Sequence, residues 1–304
     1  MPTSVAPDCW FVDLHYMDAP NLIAAGVMES EDGLLVVDPG PTTALDTLTE
    51  GLAAEGFGWD DVHALLLTHI HLDHAGASGS IVAAAPHVQV YVHRRGALHL
   101  ENPRRLLKSA RRIYGDRMDA LWGDVAAVPA ANLHALAGGE TLQLGQRTIQ
   151  VAYTPGHAVH HISFLDEATG TAWVGDVAGM RVAGADYVLP VAPPPDIDLD
   201  AWTASLETLQ AWRPERLFIT HCGAFDDVAR HLDEAASRLN QFARDVQVSM
   251  QSEMPRDAAA EDFHAKEVAA MKDAVPEPMQ PPYEHFGRPE ESWHGLARYW
   301  KTRS

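Results

Sequence analysis

The chain is poor in cysteine, in basic residues and in long apolar runs. Two cysteines in 304 residues, Cys9 and Cys222, give no disulfide framework. No apolar run approaches the roughly 18 residues of a membrane-spanning helix. The opening MPTSVAPDCWFVDLHYMD has no basic stretch followed by an apolar core, so no secretory signal is expected. The expectation is a cytoplasmic protein with reduced thiols. Lys and Arg total 22 against 42 Asp and Glu, a formal net charge of −20. Such a surface repels phosphate, which argues against nucleic acid or an anionic membrane as partner. Internal repeats and long low-complexity tracts are lacking too.

What is present suffices for a full core, since 46% of the residues are hydrophobic. Short apolar runs at 9–16, 21–29 and 33–40 read as strands, the last stopped by Pro39-Gly40. Residues 41–56 carry helical spacing and end in Gly56. A buried strand is expected at 62–68, a small-residue helix at 74–86 and a strand at 88–93. Residues 94–135 read as a charged helical insertion. Strand signals resume at 140–156, 161–176 and 216–221, with a proline-rich loop at 189–199 and a helix near 200–212. Beyond 224 the pattern is helical, with PEPMQPP (276–282) as a linker and a last amphipathic helix at 291–301. This alternation predicts an α/β protein with sheets in the middle and helices outside.

Residues 67–76 read LTHIHLDHAG, three imidazoles and a carboxylate within six positions. If His69 and His71 end the strand 62–68, they face the same side, being two residues apart. Asp73 and His74 follow at the turn into the next helix. Neutral imidazole and carboxylate are zinc-type ligands, and two sets of about three serve two metals. Further ligands are sought where other apolar segments end: His157 in TPGH, Asp176 in TAWVGD and His221 in RLFITH.

The set THIHLDH (68–74), TPGH (154–157), GD (175–176) and TH (220–221) resembles the metallo-β-lactamase-fold hydrolase superfamily over about residues 10–225. The resemblance implies a four-layer αββα sandwich with metals at one edge. It divides the chain into a catalytic domain at 1–225, with its insertion at about 94–135, and a helical C-terminal extension at 226–304. It places His69, His71 and His157 on one metal, Asp73, His74 and His221 on a second, and Asp176 between them. Two divalent ions are implied, zinc first, with iron or manganese as alternatives. A bridging hydroxide would attack an ester, thioester or lactone carbonyl, with Asp73 orienting it or relaying its proton.

Branches of the superfamily differ at readable positions. True β-lactamases typically carry Ser or Cys where Asp176 stands, and a secretion signal. Flavodiiron proteins carry Glu in place of His71. Lactonases of acyl-homoserine lactones have a tyrosine three residues after the bridging aspartate, where this chain has Gly179; Tyr187 is the substitute in the next loop. A glyoxalase II or lactonase-like hydrolase is therefore expected. The alternatives are a phosphodiesterase, or a persulfide-dioxygenase-like enzyme holding one iron on His69, His157 and Asp176.

Segment 94–117 holds eight Lys and Arg against two acids. Arg104 and Arg105 are taken as cations for the anionic tail of a small-molecule substrate. His161 is assigned a hydrogen bond behind the metal ligands, and His160 an outward position. Cys222 reads as a small buried hydrophobe. Loop 189–199 is a candidate pocket wall. The stripe Trp293, Leu296, Trp300 docks the tail on its own domain or on a partner subunit, as in a homodimer.

Overall fold

A computed structural model describes residues 2–286 and 288–303. The outer bounds 1 and 304 of the expected segments lie outside them. The chain opens as an antiparallel meander of β1 (Thr3–Ala6), β2 (Cys9–Asp13), β3 (Ala24–Met28) and β4 (Leu34–Val37). Helix α1 (Leu45–Ala54) leads to β5 (Val62–Leu66), parallel to β4. Helices α2 (Leu72–Ala75) and α3 (Ser78–Ala84) precede β6 (Gln89–His93), parallel to β5. Helices α4 (Arg94–Glu101), α5 (Arg104–Tyr114) and α6 (Met118–Trp122) then lead to β7 (Leu133–Leu136), parallel to β6. These seven strands lie side by side in chain order.

The second sheet begins with β8 (Thr141–Leu144), β9 (Arg147–Tyr153), β10 (Ile162–Asp166) and β11 (Thr171–Trp173), all antiparallel. Helix α7 (Leu199–Trp212) carries the chain to β12 (Arg216–Ile219), parallel to β11, and β13 (Gly223–Phe225) closes the six-stranded sheet. Asp198 starts α7 by accepting from the Asp200 and Ala201 amides. Helices α8 (Val228–Ser249), α9 (Arg256–Ala274), α10 (Gln280–Phe286) and α11 (Pro289–Arg303) follow.

Strand alternation sorts the side chains into layers. Leu35, Val37, Ala64 and Leu66 point into the space between the sheets, against Ile149, Phe164, Trp173 and Phe218. Their neighbours Leu34, Val36 and Leu65 pack outward against Leu48 and Leu52 of α1 and Ile81 and Val82 of α3. On the far side, Leu217 and Ile219 pack with Trp202 and Leu206 of α7 and Leu232 and Leu239 of α8. The result is the αββα sandwich. Phe263, Tyr283, Trp293 and Leu296 of the tail belong to that same outer core. The stripe on α11 thus docks on its own chain, and Trp300 donates its indole N–H to the Ala243 carbonyl (3.0 Å).

Several expectations are corrected. β1 was not expected, β7 interrupts the supposedly helical 94–135, and β13 follows immediately on His221-Cys222. All three are short, at three or four residues, too brief to show alternation. PEPMQPP is not a linker: a 3-10 turn at Glu277–Met279 runs into α10. Strand β5 ends at Leu66, so His69 and His71 lie in the loop beyond it. Among the described residues no helix is long and apolar enough to cross a membrane.

Gly26 shows how closely the sheets approach. A Cβ there would stand 2.2 Å from the Trp173 ring, itself fully buried. Gly26→Ala is expected to destabilise the fold by roughly 1–3 kcal/mol through overpacking. Denaturant unfolding checks this; an unchanged midpoint would show that the indole has room to move.

Candidate metal centre

The loops following β4, β5, β9, β11 and β12 meet at one edge of the sandwich. They bring together His69, His71, Asp73, His74, His157, Asp176 and His221. The ligand atoms of His69, His71, His157 and Asp176 lie within 4.8 Å of one another, and so do those of Asp73, His74 and His221. Asp176 faces both groups. Its Oδ2 lies 3.4 Å from His157 Nε2, and its Oδ1 lies 3.1 Å from His74 Nε2 and 3.4 Å from His221 Nε2. Gly175 precedes it at φ +49, where a Cβ would meet the Thr68 hydroxyl at 2.5 Å. Only glycine fits that turn without strain.

Four of the five ligand imidazoles are oriented from behind; His71 instead turns its Nδ1 to His157 Nε2 (3.0 Å). The His74 Nδ1–H donates to Asp38 (2.8 Å), that of His157 to the Val191 carbonyl (2.7 Å) and that of His221 to the Leu22 carbonyl (2.6 Å). The Thr68 hydroxyl donates to Asp38 (2.7 Å), so its oxygen is left to accept from His69 Nδ1 (3.1 Å). With Nδ1 as donor, Nε2 presents a lone pair to the centre, as a metal ligand must.

Asp38 was missed in the sequence. It is fully buried and also accepts from the Thr68 amide (2.8 Å) and the Thr220 hydroxyl (2.8 Å). The available signal was an aspartate ending the apolar strand LLVVD, like the ligands at other strand ends. Thr68 and Thr220 therefore bind the carboxylate that holds His74.

Burial lowers the pKa of His69 and His157, and that of His71 to about 3, so these rings are neutral at pH 7. Burial opposes charge on His74 too, but Asp176, Asp73 and Asp38 outweigh it and raise its pKa well above the usual value. Burial likewise disfavours charge on Asp176, and His74, His221 and His157 overcome it, keeping the carboxylate ionised.

This donor set fits a pair of metal ions. His69 Nε2, His74 Nε2, His221 Nε2 and Asp176 Oδ1 are buried without a hydrogen-bond partner among the described residues. Such orphaned groups cost roughly 1–3 kcal/mol each, and more when charged. Cations between the two groups would satisfy all four.

A cavity of about 310 Å³ opens over the centre, reaching His71, Asp73, His157 and Asp176. Helices α5 and α6 line it, as does the proline-rich loop from Leu189 to Asp196. Unexpectedly, so do Tyr16, whose buried hydroxyl has no partner among the described residues, and Phe286 and Arg288 of the tail. Tail residues more than 60 positions beyond the last ligand carry no local signal of this role.

Other expected site residues fall differently. Arg105 lines the cavity, whereas Arg104 is exposed and does not. Tyr187 is buried under the tail, where its carbonyl accepts from the Tyr283 hydroxyl (2.7 Å) and its phenol meets Arg238. It cannot serve as the lactonase-type tyrosine. His161 hydrogen-bonds Thr154 (2.9 Å) rather than a ligand, and meets His69 ring to ring at 5.1 Å. His160 is not outward: it is buried, lines the cavity and stacks over His69 at 6.0 Å. Cys222 is buried against the inter-sheet core.

A model of the metallo-beta-lactamase superfamily matches residues 19–221, and the chain belongs to that superfamily. It is 25% identical over 227 residues to a metallo-beta-lactamase fold-containing protein of Sulfurisphaera tokodaii, covering 73% of this chain and 82% of that one. Thioesterase pkgB of Emericella nidulans is 25% identical over 57% of this chain and 39% of its own length. A hydroxyacylglutathione hydrolase of Maricaulis maris is 26% identical over 47% of this chain. The chain spans less than half of each of these last two relatives. A metallo-beta-lactamase family protein of Thermus thermophilus superposes with a TM-score of 0.72 at 19% identity, over 98% of this chain and 94% of its own, and so shares the fold through the tail.

Asp38→Ala is expected to weaken divalent-metal affinity by roughly 10–100-fold, since it frees His74 to rotate and change tautomer. Competition titration against a chelating dye measures this. Unaltered affinity would mean that the ligands hold their geometry unaided.

Proposed function

We propose that this chain is a metal-dependent hydrolase that takes two divalent cations and cleaves an ester, thioester or lactone bond of a small molecule. One observation carries the reading: two groups of ligand atoms share Asp176, whose two oxygens face one group each. A pair of divalent ions held there would bring the pKa of water to near ~7 and polarise a carbonyl oxygen. Zinc is the expected metal for this nitrogen and oxygen set, with iron or manganese as alternatives.

The residues divide the work. His69, His71 and His157 would hold one ion, and Asp73, His74 and His221 the other. Asp176 offsets charge on both. Asp73 is the more open carboxylate, 14% exposed and lining the cavity, 3.5 Å from His221 Nε2. In this reading it also orients water and accepts its proton. Tyr16 offers an uncommitted hydroxyl to a substrate oxygen. The centre has no need of a serine or cysteine nucleophile.

A single-iron oxygenase would use His69, His157 and Asp176 alone. The second group of Asp73, His74 and His221 beside them favours the dinuclear reading. Relatives named as a thioesterase and a hydroxyacylglutathione hydrolase support a hydrolytic reaction.

Protein purified without chelator is expected to contain about two divalent ions per chain and to hydrolyse members of an ester, thioester and lactone panel. His69→Ala and Asp176→Ala should each lower turnover by more than the roughly 100-fold that a change behind the ligands costs. Full activity in either variant, or one iron per chain with oxygen uptake, would refute the proposal.

A further inference from the structure

Much of the cavity lining is apolar. Helix α5 turns Leu106, Ala110, Ile113 and Tyr114 toward it, and this i, i+4, i+7, i+8 spacing is one helical face. Trp122 of α6 and Phe286 of α10 continue that surface. Ile113 is 43% exposed, large for an aliphatic side chain facing a cavity. An open apolar wall with a few polar groups is the mark of a small-molecule site, and about 310 Å³ falls at the small end of the roughly 300–1,000 Å³ usual for one.

Four arginines are among the polar groups that line the cavity. Arg95, Arg105 and Arg117 line the cavity, and among the described residues none has a side-chain hydrogen bond or an ion pair with a carboxylate. Arg95 lies over the Tyr153 ring at 5.9 Å. In a chain of net charge −20, carboxylates are plentiful, yet among the described residues none makes a close ion pair with these three, although Glu291 lies near enough to feel the charge of Arg117. The other arginine there, Arg288, is already paired with Glu291 (2.5 Å). Asp196 and Glu291 are the cavity's acids beyond the metal centre. The remaining cations of α5, Arg104, Lys108, Arg111 and Arg112, face solvent.

We infer that the substrate joins an apolar acyl or aryl group to an anionic end. The apolar part lies along α5, Trp122 and Phe286, and the anion is met by Arg105 and Arg117, with Arg95 adding to the field. This rests on the hydrolase reading and narrows its substrate class. Small neutral esters and short acyl groups would leave the α5 face wet and the arginines unpaired, so they would be poor substrates.

The test is isothermal titration of the metal-loaded protein with octyl phosphate, butyl phosphate and octyltrimethylammonium. Octyl phosphate should bind at least about tenfold more tightly than butyl phosphate, because its added methylenes cover the apolar wall. It should exceed the ammonium by at least as much. Arg105→Glu with Arg117→Glu should erase the anion preference at unchanged metal content. Ile113→Asp, at a partly exposed site that folding tolerates, should erase the chain-length preference. Equal binding of the two phosphates, or of phosphate and ammonium, would overturn the inference. So would an anion preference that survives the double charge reversal, since the metal pair would then be reading the charge. Turnover plays no part in these measurements. A protein that binds as described but hydrolyses nothing would refute the hydrolase reading alone, and flat binding by an active hydrolase would refute only this one.

Discussion

The centre depends on one buried carboxylate. Asp38 ends β4 in the first sheet and receives donors from Thr68 after β5, from His74 in α2 and from Thr220 at the end of β12 in the second sheet. A charge sealed from water is costly unless fully hydrogen-bonded, and four donors meet that need. Those bonds tie together the two sheet edges that carry the ligands. They also fix which nitrogen of His74 turns inward. Asp38 adopts φ 48, a left-handed conformation that aspartate tolerates better than most residues and that starts the turn through Pro39-Gly40.

Around this knot the protein gathers more imidazole than an apolar interior would otherwise hold. Burial keeps most of these rings neutral, which preserves their lone pairs. Three carboxylates pull the other way on His74 and favour positive charge at that point. The same field that favours a proton there would favour a divalent cation. Ligand orientation, neutral rings and a local negative field therefore all come from one set of packing decisions.

The sandwich supplies the centre, while other parts of the chain shape what reaches it. The helices between β6 and β7 form one wall and the proline-rich loop another. That loop serves twice, since its Val191 carbonyl also holds His157. The C-terminal helices share a core with the second sheet and deliver Phe286 and Arg288 to the rim. Tail packing and pocket shape are thus coupled through α10 and α11.

The sequence by itself determined the sandwich and its metal edge. Apolar strands that end in His or Asp are a local pattern, and THIHLDH is dense enough to read without neighbours. Long helices and strands were legible because periodicity accumulates over their length. Strands of three or four residues were not, since they exist only through pairing with a neighbour. Residue roles were legible only where one chemistry dominated. Asp38 resembled any strand-end acid, Tyr187 and His160 were misplaced, and Arg104 could not be told from Arg105. Which way a side chain points depends on the register of a helix against its partners, and a pocket wall is assembled from segments hundreds of residues apart. Only tertiary packing decided that α5 turns its apolar face inward with Arg105 at the edge, and that the tail closes the rim.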